Sequence, residues 1–117
     1  AAPRDAPDVE LRGWQVLGTI AARRGDDANA LAWLSHALAL AERTGDDWSI
    51  SLVSGNLGLA ELKSGRLDDA ERHFRQSLAH NEALGNVAGI VNDHDYLGRL
   101  SRLDEAVRAL LAPEQTG

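Results

Sequence analysis

Cysteine is absent from the 117-residue chain, which excludes disulfide frameworks, thiolate zinc sites and cysteine nucleophiles together. That absence fits a reducing compartment, and a cytoplasmic protein is the expectation. Methionine is also absent, position 1 included; this predicts either a piece of a longer polypeptide or removal of the initiator. Aromatic residues are scarce, with one Tyr and one Phe, whereas Ala and Leu recur throughout, so helices are expected and a sheet is not. No apolar run reaches the roughly 18 to 20 residues that span a bilayer. The start, Ala1-Ala2-Pro3-Arg4-Asp5-Ala6-Pro7, lacks the apolar core of a secretory signal. Positive charge is in deficit as well, and a net charge of −6 would repel a phosphate backbone. Neither nucleic acid nor membrane is therefore an expected partner.

What the chain does have is an internal repeat, in a length suited to one compact domain. At a shift of forty, Leu17-Gly18 meets Leu57-Gly58, Gly25 meets Gly65, Ala30 meets Ala70, Leu34 meets Phe74, Leu38 meets Leu78 and Gly45 meets Gly85. The spacing predicts a first helix from about Val9 to Arg24, ended by Gly25 in the left-handed conformation that stops a helix without steric cost. Asp26 and Asp27 then offer capping oxygens to a second helix. In that helix Ala30, Leu31, Leu34, Ala37, Leu38 and Ala41 form one apolar stripe of helical period. Gly45, with Asp46 and Asp47, repeats the punctuation before a third helix, about Asp47 to Ser64, and a fourth follows from about Asp68 to Leu84. Gly18 and Gly58 fall inside helices, where each costs about 1 kcal/mol relative to Ala. Close approach of the small Ala30 and Ala70 is the expected compensation.

The third unit admits two registers. Leu97-Gly98 stands forty past Leu57-Gly58, yet Arg66-Leu67-Asp68-Asp69-Ala70 returns as Arg102-Leu103-Asp104-Glu105-Ala106 after thirty-six. Five consecutive similar residues favour thirty-six, which predicts a fifth helix over about Val87 to Leu100 and a sixth over about Asp104 to Leu111, with Pro113 ending it.

Trp14, Leu17-Gly18, Gly25, Ala30, Leu34 and Ala37, followed by Asn56-Leu57-Gly58, Gly65, Ala70 and Phe74, resemble the tetratricopeptide repeat. Ser54 and Ser77 stand where that pattern has Trp and Ala. The resemblance implies an all-α fold, an α-α superhelix or solenoid of about three helical hairpins and six helices. Residues 9–112 would form it, as repeats of about 9–46, 47–86 and 87–112, between a linker at 1–8 and a tail at 113–117. The forty-residue spacing is similar to that of repeats in large bacterial signalling and transcriptional regulators, which implies a regulatory segment that binds protein or peptide and does no catalysis.

In that family the first helix of each repeat lines a groove for a peptide. Carried over, the groove would present Arg12, Gln15, Thr19 and Arg23 from the first repeat, Leu52, Asn56, Leu59 and Lys63 from the second, and Val91, Asn92, Asp95 and Arg99 from the third. Leu52 and Leu59 would touch apolar side chains of the guest while Asn56 meets its backbone amides; alternatively, neighbouring helices cover both leucines. Arg23, Lys63 and Arg99 recur at one place in each repeat. They suit an acidic partner, although a cation in the last turn of a helix is favoured by the macrodipole without any ligand. The variant of the family that clamps chain-terminal carboxylates with Lys and Asn is not matched by Gln15 and Thr19.

Catalytic, cofactor and metal sites are not expected. His36, His73, His80 and His94 include no pair at the i, i+4 spacing of a helical zinc site. His73 and His80 would stand about 10.5 Å apart along a helix. Asn92-Asp93-His94-Asp95 is the densest polar cluster, but consecutive helical residues point about 100° apart, so it reads as a solvated face. Neither a phosphate loop nor a nucleophile elbow appears. The competing reading of the repeats is self-association, because each unit leaves an apolar face that a second copy could cover.

Overall fold

In the computed structural model, which describes residues 5–112, the chain forms five helices and, among those residues, no strand. They are α1 (Asp5–Arg23), α2 (Asp27–Thr44), α3 (Asp47–Lys63), α4 (Leu67–Leu84) and α5 (Val87–Leu111). Helix α1 begins inside the stretch expected as a linker; the remainder of that linker and the tail at 113–117 lie outside the described residues.

Glycine sets the first four boundaries. Gly25, Gly45, Gly65 and Gly85 have φ of 76°, 70°, 77° and 68°, a region where a side chain would be strained. After three of them the next backbone N–H reaches back to a carbonyl left free by the helix, from Asp26 to Ala21, Arg66 to Glu61 and Asn86 to Asn81, at 2.8 to 3.0 Å. Of the following helices, α2, α3 and α5 start on side-chain caps, whereas α4, preceded by Arg66, has none. Asp26 accepts from the Asn29 amide, Asp46 from Ser49 and Asn86 from Gly89. The Ser49 hydroxyl, 2.7 Å from Asp46, is the main reason that the Asp46 carboxyl is held below its ordinary value of 3.8, and the backbone amides of Ser49 and Trp48 add to it.

Helices pack with their chain neighbours, α1 on α2, α2 on α3, α3 on α4 and α4 on α5, and α1 also touches α3. The odd-numbered helices therefore run along one side and the even-numbered ones along the other, in a body of 74 × 32 × 20 Å. The larger core joins Leu11 and Ala21 of α1, Ala30, Leu34, Ala37, Leu38 and Ala41 of α2, and Ile50, Val53, Leu57 and Ala60 of α3. A smaller one joins Ala70, Phe74 and Leu100, with Leu59, Leu62, Tyr96 and Leu97 against it. Repeat stacking is visible in one comparison: Leu57 is 1% exposed within the core shared with α2, while Leu17, forty residues earlier, is 45% exposed.

The helical glycines do meet their hairpin partners, but not the alanines expected. A Cβ on Gly18 would lie 2.6 Å from Leu34 Cγ, and one on Gly58 would lie 3.0 Å from the Phe74 ring. The bulky residue one turn beyond Ala30 or Ala70 fills the space, and the two alanines are fully buried in the core.

The expectation of six helices is corrected to five. Helix α5 keeps the forty-residue register as far as Leu100, since its cap Asn86 matches Asp46 and buried Leu100 matches buried Ala60. It then runs straight through Arg102-Leu103-Asp104-Glu105-Ala106. Every other turn has a left-handed glycine, whereas Ser101, thirty-six residues after Gly65 and just before the repeated segment, is not glycine, so nothing stops the helix. Ion pairs Asp95–Arg99 and Asp104–Arg108, at 3.1 and 3.2 Å, brace it on both sides of the missed turn. All residues from 101 to 112 are exposed.

Candidate binding face

Three clefts open along the side formed by α1, α3 and α5. Arg12 and Gln15 of α1 face Leu52, Trp48 and Ser49 of α3 across about 240 Å³. Thr19 and Arg23 face Asn56, Leu59 and Lys63 across about 220 Å³, with Leu34 of α2 at the base. Between α3 and α5 a cleft of about 390 Å³ is lined by Trp48, Leu52, Asn56 and Leu59 on one wall and by Gly89, Asn92, Asp93 and Tyr96 on the other. Leu52 borders the first and third clefts, and Asn56 and Leu59 border the second and third, so the three adjoin one another along α3.

Nine of the twelve residues expected from the sequence thus share one surface: Arg12, Gln15, Thr19, Arg23, Leu52, Asn56, Leu59, Lys63 and Asn92. Val91, Asp95 and Arg99 line none of these clefts. Val91 is 60% exposed. Arg99 is 3.1 Å from Asp95, one turn back on its own helix, and lies over the Tyr96 ring at 5.5 Å, so it does not extend the row begun by Arg23 and Lys63. Those two form no ion pair among the described residues. Leu52 is open to solvent, while Leu59 is half-buried against the smaller core; of the two leucine readings, cover by neighbouring helices fits Leu59 and an open apolar surface fits Leu52.

A polar cluster borders the α3/α5 cleft. Ser54 and Ser77 are buried in the places where the resemblance led to Trp and Ala, and Asn81 and Asp93 are buried next to Ser77. The Ser54 hydroxyl donates to the Ile50 carbonyl at 2.6 Å. Ser77 Oγ lies 2.9 and 3.1 Å from the two Asp93 oxygens and 3.1 Å from the Ser51 carbonyl. Asn81 Nδ2 donates to Asp93 at 2.8 Å, and Asn86 donates to Asn81 Oδ1 at 3.1 Å. Asp93, expected on a solvated face, is only 5% exposed. The signal was present: Asp93 stands forty residues after Val53, which is wholly buried, so the register through Leu100 puts it on the core face.

Histidine serves the α3/α4 hairpin. His73 Nδ1 is 2.6 Å from Glu61 and His80 Nδ1 is 2.6 Å from Asp47, tying α4 to both ends of α3. His36 packs edge-on against Trp14, with ring centroids 4.6 Å apart. Among the described residues, no group of three metal-ligating side chains comes together, and no helix is long and apolar enough to cross a membrane.

Comparison with known proteins agrees with this architecture. Residues 11–83 match a family model described as Tetratricopeptide repeat, a span from the first core residue of α1 to the last turn of α4. No curated protein and no solved structure matches the chain.

Proposed function

The chain belongs to the tetratricopeptide repeat family, whose repeats bind proteins or peptides without catalysing a reaction, and on that premise we propose that the face made by α1, α3 and α5 holds a segment of a partner polypeptide. The reading rests on three neighbouring clefts that share Leu52, Asn56 and Leu59 on one face. An extended segment laid across α3 could use all three at once, with Leu52 as an apolar contact and Asn56 within reach of backbone amides. Arg23 and Lys63, on opposite walls of the α1/α3 cleft, suit an acidic side chain of that segment. The chain's own negative charge speaks against nucleic acid on this surface. The forty-residue spacing and its likeness to bacterial regulators support a place as a regulatory segment of a larger cytoplasmic protein.

Substitution of an open residue tests the reading. Leu52→Ser is expected to weaken binding of a peptide selected from a random library by at least about tenfold, or roughly 1.4 kcal/mol, with the helical circular dichroism unchanged. Undiminished binding by that variant would move the interaction off this face.

A second reading, self-association, is favoured by a separate observation. Val16, Leu17 and Ile20 on α1, and Leu103, Val107 and Leu110 on α5, form exposed apolar stripes at opposite ends of the described residues. Sedimentation velocity across a hundredfold range of concentration separates the two, because a constant monomeric mass leaves only the peptide reading.

A further inference from the structure

We propose that the cleft between α3 and α5 is a subsite for a cationic side chain, a lysine or arginine of the bound polypeptide, with Asp93 as its counterion. The inference rests on the peptide-binding reading above and adds the charge of one residue of the guest.

Burial is the starting point. Asp93 is 5% exposed yet contributes to the cleft wall, and a carboxylate so placed is costly unless it is paired and fully hydrogen-bonded. Its two side-chain donors are neutral. Asn81 gives one N–H at 2.8 Å. Ser77 has a single hydroxyl proton for which the Ser51 carbonyl, at 3.1 Å, competes. Among the described residues, no Lys, Arg or His lies within ion-pair distance of Asp93. The other residues lining the cleft carry no formal charge, so the negative charge of Asp93 stands alone in it.

The rest of the wall suits the proposed guest. Trp48 is 55% exposed at the rim, and an indole face attracts a cation. Tyr96 is stacked on Phe74 at 4.9 Å and approached by Arg99, which leaves Trp48 as the open aromatic surface. Leu52 and Leu59 offer apolar contact to the aliphatic stem of a long basic side chain. An acidic side chain would be repelled here and drawn to Arg23 and Lys63 in the neighbouring cleft. The face is thus polarised, and the guest's basic residue belongs at its α5 end.

The test is selection of random heptapeptides displayed on phage against the full chain, in parallel with Asp93→Asn, a near-isosteric change that removes the charge. Peptides from the wild-type selection are expected to share a Lys or Arg. Replacing that residue by norleucine should weaken binding at least about tenfold, whereas binding to Asp93→Asn should change by less than about twofold on the same replacement. Peptides that bind both proteins equally, or tolerate norleucine, overturn the inference and leave the groove reading standing. Peptides insensitive to Leu52→Ser, or no enrichment at all, overturn both. Should Asp93→Asn lose helicity, the norleucine comparison on the wild type, read at the Trp48 indole resonance, decides. A basic side chain whose binding leaves that resonance unmoved contradicts the proposal.

Discussion

At the scale of single residues, the molecule depends on side chains that are small where a neighbour must come close. A Cβ on Gly89 would lie 2.5 Å from the Asn81 amide nitrogen, so Gly89→Ala must turn Asn81 away from Asp93. Alanine gains up to about 1 kcal/mol of helix propensity, while Asp93 keeps the Ser77 hydroxyl but loses a buried hydrogen bond to a charged group, about 1.5 to 3 kcal/mol; the loss wins. Urea unfolding is expected to show a net destabilisation of about 1 to 2 kcal/mol. Gly18→Ala, facing Leu34 at 2.6 Å, should likewise destabilise by about 1 to 3 kcal/mol despite the better helix former. Asp46 makes a different kind of contribution. Its folded carboxyl lies below 3.8 because Ser49 donates to it, so its stabilisation is complete above that value and disappears as pH falls through the folded value. Asp46→Ala is expected to cost about 1 kcal/mol at pH 7, and the difference from wild type should vanish in strong acid, as thermal unfolding across pH would record.

At the scale of elements, the first four helices were legible because glycine and its capping partners make local statements. A residue at positive φ is glycine for steric reasons that need no tertiary context, and Gly25, Gly45, Gly65 and Gly85 all take that role. The end of α5 was misread for the complementary reason. Arg102-Leu103-Asp104-Glu105-Ala106 looks like the start of α4, but likeness of the segment that follows a turn does not create the turn. Ser101 allows the helix to continue, and every described residue beyond it is exposed. Amide exchange at low denaturant should therefore divide α5, with residues 101–112 exchanging near the rate of an isolated helix and residues 90–100 protected close to the global unfolding free energy. Uniform protection along all of α5 would show that the outer half is covered in solution.

At the scale of the whole molecule, periodicity made the stacking of hairpins and most of the open face readable. Nine of the twelve expected groove residues share one surface because equivalent positions of stacked repeats project to the same side. What periodicity left out arises between elements. The network of Ser77, Asn81 and Asp93 joins α4 to α5, and the contacts His73–Glu61 and His80–Asp47 join α4 to α3; each partner alone is an ordinary polar residue on a helix. Arg99 recurs with Arg23 and Lys63 in the sequence, yet in the structure Asp95 one turn away engages it within its own helix, a pairing that recurrence does not register.

Whether the α1, α3 and α5 face receives a partner polypeptide is decided by mapping amide and indole chemical-shift changes as a library-selected peptide is titrated into the chain. The expected result is a contiguous set of changes at Gln15, Trp48, Leu52, Asn56 and Asn92, with Arg72, Arg75 and Glu42 on the opposite side unaffected. Changes centred on α2 and α4, or confined to the exposed end of α5, would contradict it.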